Sequence, residues 1–231
     1  MLIDEYSQIV IVLVNSISQK MSFTRKISQK NNNELTKVAD TAFIPDGVYI
    51  LHDTLGVKTV VGWNPKDNEG VTGILLVEDD HKIVVALEDS PKNLHWSKNY
   101  GLINKPVEEL EDAESDFNGE EYCNNLNSPD FPAAYYCLNY KKGGRSWYLP
   151  SSGELWLICR HFDEIQNALE AVGGQKLYES LWVVGVPMYW SSTEWTDFGA
   201  WDLDLEDRHL TKWNNKVDLC KKVRPVSNFN I

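Results

Sequence analysis

The sequence predicts an α+β fold in which small twisted antiparallel sheets pack against two or more helices. Strand-like segments rich in Val, Ile, Leu and Tyr occur before residue 90 and again after Pro187, whereas helix-like segments occupy the middle of the chain. The strict alternation of strands and helices that characterises a parallel sheet is missing from the sequence. With 231 residues, the chain is long enough to bury a sizeable core.

Four strand candidates follow one another in the first half of the chain. They cover Gly47–His52 and residues 58–63, 72–77 and 82–87, and Gly, Asp, Asn or Pro residues separate them. Asp79-Asp80 lies between the last two candidates, where aspartates favour a tight turn. The pattern therefore predicts a hairpin at this turn.

The middle of the chain has helical periodicity. Short helices are predicted at residues 120–127 and 131–140, with a breaker at residues 128–130. Ser151 and Glu154 form a capping-box pattern, which marks the start of a longer helical region. This position explains the serine as a helix cap rather than as a nucleophile. A second helical face continues to Val172, and Gly173-Gly174 ends it.

The last third of the chain returns to a strand period. In residues 201–206 the odd positions are apolar and the even positions are acidic, which predicts a half-buried antiparallel strand. Asp207-Arg208 can form a turn that connects this strand to a partner strand at residues 209–213. Residues 220–226 are predicted to form the closing strand.

The acidic positions of that strand have two interpretations. Asp202, Asp204 and Glu206 would project from one face at intervals of roughly 7 Å. We favour a solvated strand face, and a site for Ca²⁺ or for a basic ligand is the alternative. A calcium loop would normally add amide and backbone oxygens around the carboxylates, and no EF-hand pattern is present in the sequence.

The formal net charge of -12 and the missing motifs exclude several function classes. This charge would repel phosphate backbones, and lysines and arginines are too scattered to form a basic patch, so no nucleic acid partner is expected. The sequence has no P-loop, no GxGxxG and no GxSxG motif. We therefore predict that the chain is not an enzyme and needs no cofactor.

Cysteine and histidine spacing gives no metal site. The four cysteines form no CxxC pair, and the five histidines form neither HxH nor HExxH, so no zinc site is predicted. Cys137 and Cys159 lie among apolar residues, which favours buried free thiols. Disulfides remain the alternative if the protein is exported.

Residues 1–40 are predicted to be an N-terminal appendage and linker, and residues 41–231 the main domain. The appendage has a local charge of +1, so the remainder carries -13. The apolar run from Ile9 to Val14 predicts a buried strand; it is too short for a membrane span and follows acidic Asp4 and Glu5, unlike a signal peptide. As written, the chain is expected in the cytoplasm without membrane insertion, with cell-surface or virion display as the alternative.

Large aromatic residues near the C-terminus give the strongest functional signal. Trp195 and Phe198 lie in a polar loop, and Trp213 precedes two asparagines, whereas Trp201 has the apolar parity of a core residue. Exposed aromatics beside amides and carboxylates are typical of recognition surfaces, although a core role is the alternative for each of the first three. The predicted ligand-binding residues are Trp195, Phe198, Asp202, Asp204, His209, Trp213, Asn214 and Asn215.

Arg224 is predicted to have a structural role. It lies between Val223 and Pro225 in the closing strand, where an unpaired guanidinium would be costly to bury. We expect a carboxylate partner, either Glu194 or Glu154, that joins the end of the sheet to the start of the helix.

Four segments and their order resemble the bacterial C-type-lectin-like family related to the major paralogous domain proteins. Asp116-Phe117-Asn118-Gly119 is also similar, and the resemblance covers roughly residues 45–229. The four segments are Trp147-Tyr148-Leu149-Pro150-Ser151-Ser152-Gly153-Glu154-Leu155, Tyr189-Trp190-Ser191-Ser192-Thr193-Glu194, Ala200-Trp201 and Val223-Arg224-Pro225-Val226.

The resemblance implies a compact C-type-lectin-like domain. In relatives that are variable proteins of diversity-generating retroelements, C-terminal strands and loops contact the ligand, and they correspond to residues 195–219 here. The Glu-Pro-Asn or Gln-Pro-Asp sugar motif of animal lectins is absent, and Trp213-Asn214-Asn215 matches their Trp-Asn-Asp only in part. Calcium-dependent sugar binding is therefore not implied.

These observations predict a bacterial or phage recognition or adhesion module with a protein or glycan ligand. One alternative is an oxidase of the formylglycine-generating type, for which Cys159 or Cys220 would be the reactive thiol, although the cysteine pair of those relatives is not recognisable. A second alternative is a structural particle or pilus subunit that assembles through its N-terminal strand.

Overall fold

The computed structural model describes residues 43–177 and 188–229. Within these two ranges the chain has an α+β architecture, as the sequence predicts, with several small antiparallel sheets. The strands are β1 (Gly47–His52), β2 (Gly56–Thr59), β3 (Val71–Glu78), β4 (His81–Val85), β5 (Leu94–His95), β6 (Met188–Glu194), β7 (Gly199–Asp204), β8 (His209–Asn215), β9 (Cys220–Lys221) and β10 (Val226–Asn228). The helices are α1 (Leu110–Glu114), α2 (Gly119–Asn125), α3 (Pro132–Asn139), α4 (Ser152–Arg160) and α5 (Phe162–Ala171), with 3-10 turns at Pro65–Gly70 and Lys142–Gly144.

The first half of the chain builds a five-stranded antiparallel sheet in the order β10-β4-β3-β1-β2. The predicted hairpin turn is confirmed, because Glu78 pairs with His81 and Asp79 adopts a left-handed conformation with φ 53°. The second strand begins earlier than predicted. Gly56, with φ 70°, reverses the chain directly after β1, so β2 ends at Thr59 and residues 60–63 lie outside the sheet.

The last third builds a three-stranded sheet, β6-β7-β8, and a two-stranded sheet that joins β5 to β9. The predicted closing strand at residues 220–226 is wrong as one element, because it divides into β9 and β10. Pro225 has no backbone N–H to donate to a neighbouring strand, and the side chain of Arg224 beside it forms a buried ion pair. The chain leaves one sheet after Lys221 and enters the other at Val226.

The predicted helices are present, each within a few residues of its predicted limits. Helix α4 begins with the predicted capping box of Ser151 and Glu154. Gly173, with φ 69°, follows the end of α5. The short helix α1 was not predicted, since its segment is largely acidic and has little apolar periodicity.

Both faces of the inner strands β3 and β4 are buried, which explains the unbroken apolar run in β3. Ile74 and Leu76 belong to the main core, into which α4 and α5 also pack, whereas Leu75 and Val77 face a second cluster that contains Trp147. Helix α5 contacts β1 and β3, and α4 contacts all three strands of the smaller sheet. This arrangement places the turns of the smaller sheet at the surface, beyond the core.

All four cysteines are free thiols, and Cys137 and Cys159 are buried as predicted. Residues 1–40, including the apolar run from Ile9 to Val14, lie outside the described residues, so the domain boundary at residue 40 stays a prediction. Among the helices in the described ranges, each is too short or too polar to cross a lipid bilayer.

Candidate recognition surface

Two pairs of aromatic rings lie near the turn that connects β6 to β7. The rings of Trp195 and Trp213 meet edge to face with centroids 4.6 Å apart, and those of Tyr100 and Phe198 do so at 6.1 Å. Trp213 is 78% exposed, Phe198 58% and Tyr100 51%, whereas Trp195 is half-buried. We call these four side chains the aromatic platform.

A β-bulge lies at Trp213. The register between β7 and β8 moves from Ala200 opposite Asn214 to Asp202 opposite Thr211, so two residues of β8 face one residue of β7. A bulge of this kind interrupts the regular alternation of side chains along a strand. Trp213 lies within this interruption, on an edge strand of the sheet.

A buried ion pair lies beneath the platform. The Lys216 ammonium contacts Glu194 Oε1 at 2.6 Å, and both side chains are 0% exposed. Lys216 also donates to the carbonyl oxygens of Gly101 at 2.6 Å and of Thr196 at 3.3 Å. Its Nζ lies 4.9 Å from the centre of the Trp96 ring. One lysine thus joins the loop that carries Tyr100 to the turn that carries Phe198.

The second oxygen of Glu194 holds the same loop from the other side. Oε2 accepts the backbone N–H of Ile103 at 3.0 Å and that of Asn104 at 2.6 Å. Hydrogen bonds from several N–H groups satisfy the carboxylate oxygens and so offset part of the cost of burying the ion pair. The loop at residues 100–104 therefore has a defined position against the smaller sheet.

Polar contacts fix the outer edge of the platform. Asn215 donates through Nδ2 to the Tyr100 hydroxyl at 3.0 Å and to Asp218 at 2.8 Å, and the same hydroxyl donates to Asp218 at 3.0 Å. The Asn215 Oδ1 accepts the backbone N–H groups of Val217 and Asp218. Tyr100 is thus held in place at its hydroxyl as well as at its ring.

Two of the predicted site residues, Asp202 and Asn214, are not part of the platform surface. Asp202 is fully buried, and its carboxylate contacts the Lys221 ammonium at 2.9 Å. It also accepts the Thr211 hydroxyl and the Asn214 amide, each at 2.9 Å. Burial raises the pKa of Asp202, and the Lys221 cation opposes that rise.

The prediction of an outward-facing Asp202 is therefore wrong. The prediction that the odd positions of this strand face the core is confirmed, since Trp201 and Leu203 are buried in the main core. However, β7 is the central strand of its sheet and is buried along its whole length. The face opposite the core is covered in part by Lys221 of β9, which no local pattern in β7 encodes.

Asp204 and His209 lie at the other end of the β7–β8 hairpin. Asp204 is mostly buried rather than outward-facing as predicted, because its Oδ1 accepts the backbone N–H groups of Glu206 and Asp207 and closes the turn. Donor atoms of Asp204, Asp207 and His209 lie within 4.8 Å of one another, a separation that one divalent cation can bridge. These residues do not meet the aromatic platform.

Arg224 is buried, and its partner is not one of the two predicted. Its Nε donates to Asp89 Oδ1 at 2.6 Å, and its other nitrogens donate to the carbonyl oxygens of Ala86 and Gln175, each at 2.9 Å. Glu194 and Glu154 were wrong as partners, because Asp89 lies just beyond β4, the strand that pairs with β10. The guanidinium joins the end of the large sheet to the chain that follows α5.

Glu154 has a different environment from the one expected. Its carboxylate accepts the Ser151 backbone N–H and the Tyr148 hydroxyl, each at 2.7 Å, while the Ser151 hydroxyl donates to the Asp116 carbonyl at 2.6 Å. Burial raises the pKa of Glu154 to about 7, although these hydrogen bonds favour the charged form. Ser151 and Glu154 thus hold the start of α4.

Neither thiol named for the alternative enzyme has a lowered pKa in the structure. Burial raises the pKa of both Cys159 and Cys220, whereas a nucleophilic cysteine needs a lowered pKa. Nearby cations oppose the rise in each case, namely Arg208 for Cys159 and Lys92 for Cys220.

Sequence reasoning missed Tyr100, Asp218 and Lys216. Tyr100 lies in a segment without strand or helix period, and 115 residues separate it from Asn215, its hydrogen-bond partner. The apolar pair Leu102 and Ile103 between polar neighbours was the one available signal, and both side chains are exposed in the structure.

Comparison with known proteins gives a likeness in fold to a solved structure. No family model and no curated protein matches this chain. A crystal structure of a fimbrial protein from Bacteroides ovatus matches with a TM-score of 0.57 and 15% sequence identity. The match covers 80% of this chain and 49% of that protein, so the chain spans about half the length of its structural neighbour. At this level of identity, the match shows a shared fold.

Proposed function

We propose that this chain is a non-enzymatic recognition module of an adhesive or surface-assembled protein, and that it binds a protein partner through the aromatic platform. The observation that carries the proposal is the position of Trp213, which is 78% exposed and rests against Trp195. Soluble proteins seldom expose large aromatic side chains in pairs unless the surface binds something. Tryptophan and tyrosine are also the residues that most often dominate binding energy.

The chemistry around the platform favours a protein partner over a sugar. Leu102 and Ile103 are exposed in the loop that carries Tyr100, and Leu219 is exposed after β8, next to Asp218, which accepts the Tyr100 hydroxyl. This mixture of aliphatic and aromatic side chains with a polar edge resembles the centre and rim of protein interfaces. A sugar has C–H faces that stack on aromatic rings, but it offers fewer apolar groups to the aliphatic side chains than a protein surface does.

The buried support of the platform adds to the argument. Ordering a loop upon binding costs free energy, so a surface that is already held in position binds more tightly for the same contacts. Here Lys216 and Glu194 hold the loop at residues 100–104 from below, and Asn215 holds Tyr100 from the side. The platform rings are therefore largely preorganised.

The fimbrial neighbour and the family resemblance support the wider setting. A fold shared with a fimbrial protein is compatible with an adhesive or surface-subunit role. We further propose that the fold belongs to the C-type-lectin-like class, in which residues 195–219 are the ligand-contacting region. Three of the four platform rings lie in that region. Diversification of residues 195–219 among sister sequences would support membership of the variable proteins.

The proposal is tested with an array of bacterial and host surface proteins, with glycans on the same array. For a captured protein, Trp213→Ala should weaken binding by about 1–3 kcal/mol and leave the melting temperature nearly unchanged. Phe43→Ala is the matched control, since Phe43 is also highly exposed but lies outside the platform loops. A large loss of thermal stability with unaltered affinity would contradict the proposal, as would equal losses of affinity in both variants.

A further inference from the structure

A cavity of about 710 Å³ lies beside helix α3, on elements that contribute nothing to the aromatic platform. Three tyrosines, Tyr135, Tyr136 and Tyr140, line it together with two prolines. Its volume falls within the range of about 300–1,000 Å³ that is usual for small-ligand sites.

The tyrosine side of the cavity is held by ring contacts. Tyr136 and Tyr140 are one helical turn apart, with ring centroids at 6.2 Å, and Tyr140 meets Trp147 edge to face at 5.3 Å. The Tyr136 hydroxyl reaches the Asp89 carbonyl oxygen at 3.4 Å. Tyr135, at the outer side, is 38% exposed. The cavity therefore has a rigid aromatic wall with one accessible ring.

Polar groups complete the lining. Glu88 and Lys142 form an ion pair at 2.6 Å on the rim, so the cavity presents a carboxylate and an ammonium whose charges balance. The Tyr140 hydroxyl is buried close to the Glu88 carboxylate, and burial together with that carboxylate raises its pKa.

We propose that this cavity binds a neutral oligosaccharide. The faces of tyrosine rings pack on the apolar C–H faces of sugar rings, and the balanced pair of Glu88 and Lys142 accepts from and donates to hydroxyl groups without selecting for charge. A peptide that binds by strand addition is disfavoured because α3 uses its backbone groups within the helix and so offers no free strand edge. The site is independent of the platform and of its partner.

Calorimetric titration of the full chain with maltohexaose, cellohexaose, xylohexaose and lacto-N-tetraose tests the proposal. At least one of these oligosaccharides should bind with a Kd of about 1 mM or tighter. Tyr135→Ala should weaken that binding tenfold or more, Tyr135→Phe should retain it within threefold, and Glu88→Gln should weaken it several-fold. Tyr100→Ala, which removes a platform ring of the same type, should leave it unchanged within twofold.

Several outcomes would overturn the proposal. One is the absence of binding by all four sugars at about 10 mM, well above the expected Kd. Another is binding that survives both Tyr135→Ala and Glu88→Gln, or that is lost in Tyr100→Ala, which would assign the sugar to the platform. A proline-rich peptide that binds more tightly than every sugar, with sensitivity to Tyr135→Ala, would assign the cavity to a peptide. Near-ultraviolet circular dichroism of each variant verifies the fold.

Discussion

Buried charges decide much of this structure at the scale of single residues. Each ion pair joins a residue of the C-terminal third to a carboxylate on another element, and each is almost inaccessible to water. A buried charge is tolerated when its partner and its remaining hydrogen bonds are in place, so removal of one partner is far more costly than removal of both. The three pairs are Arg224 with Asp89, Lys216 with Glu194, and Lys221 with Asp202.

Replacement of Arg224 by methionine should destabilise the protein by about 3–5 kcal/mol, because Asp89 would remain buried without its cation. Urea unfolding at pH 7 measures this loss. Arg208→Met is the control, since its ion pair with Asp163 is exposed and should contribute less than about 1 kcal/mol. Similar losses in the two variants would contradict a structural role for Arg224.

Glu154 should make stability depend on pH. Its pKa is about 7 in the folded protein and 4.5 in the reference state, so its favourable contribution is complete below pH 4.5 and is lost as the pH rises to about 7. As the pH rises from 4.5 to 8, the free energy of unfolding should therefore fall less for Glu154→Gln than for the unmodified protein. The difference between the two falls should be on the order of 1–3 kcal/mol. Urea unfolding across this range measures the difference. Parallel pH profiles for the two proteins would show that the carboxyl titrates normally, and the exposed Glu111→Gln provides the baseline.

At the scale of elements, the ends of the strands in the smaller sheet hold neighbouring loops in position. Strand β6 ends at Glu194 and β8 ends just before Lys216, so the buried pair forms where the two outer strands of the sheet leave it. The pair reaches across to the loop at residues 100–104, which belongs to neither strand. The strand ends thus position a segment that is distant in sequence.

Lys216→Met should loosen that loop more than the sheet. Without the ammonium, the carbonyl of Gly101 loses its donor and Glu194 is left as an unpaired buried charge, so the amides of Ile103 and Asn104 should exchange hydrogen faster. Hydrogen-exchange mass spectrometry measures this change, with β3 as an internal reference. Lys212→Met is the matched control, because Lys212 contacts the Trp195 ring but not Glu194. An unchanged exchange rate at residues 103 and 104 would show that the pair does not hold the loop.

At the scale of the whole molecule, one hydrophobic core connects most elements of the described ranges. Strands from both ends of the described chain meet in one sheet, since β10 pairs with β4, and the core cluster includes residues of the five-stranded sheet, the three-stranded sheet and helices α1 to α5. Within the described ranges, the strands of the large sheet come from residues 47–228. We therefore expect residues 41–231 to fold without residues 1–40.

Deletion of residues 1–40 should leave a soluble domain that unfolds in one cooperative transition. Thermal and urea unfolding followed by circular dichroism, compared with the full chain, measures this. An insoluble or non-cooperative product would show that the apolar run from Ile9 to Val14 supplies a strand to the core. Sedimentation of both forms examines the assembly-subunit alternative, which requires association that disappears with the deletion.

Local signals in the sequence were sufficient for several elements. The β1 strand, the turn at Asp79, the capping box at Ser151 and the stop at Gly173 each depend on neighbours only a few residues away, so their patterns predicted them. The α+β class follows from the order of those elements. The exposure of Trp213 beside Asn214 and Asn215 was likewise indicated by polar neighbours in the chain.

Only the tertiary structure decided which distant side chains meet. Arg224 pairs with a carboxylate 135 positions away, Asp202 is covered by a lysine from another strand, and Tyr100 joins a surface built 95 residues or more later in the chain. Strand parity states which side chains share a face, but it does not state what covers that face. The physical reason is that burial and ion pairing depend on which elements become neighbours, and that choice is made by the packing of the whole core rather than by local sequence.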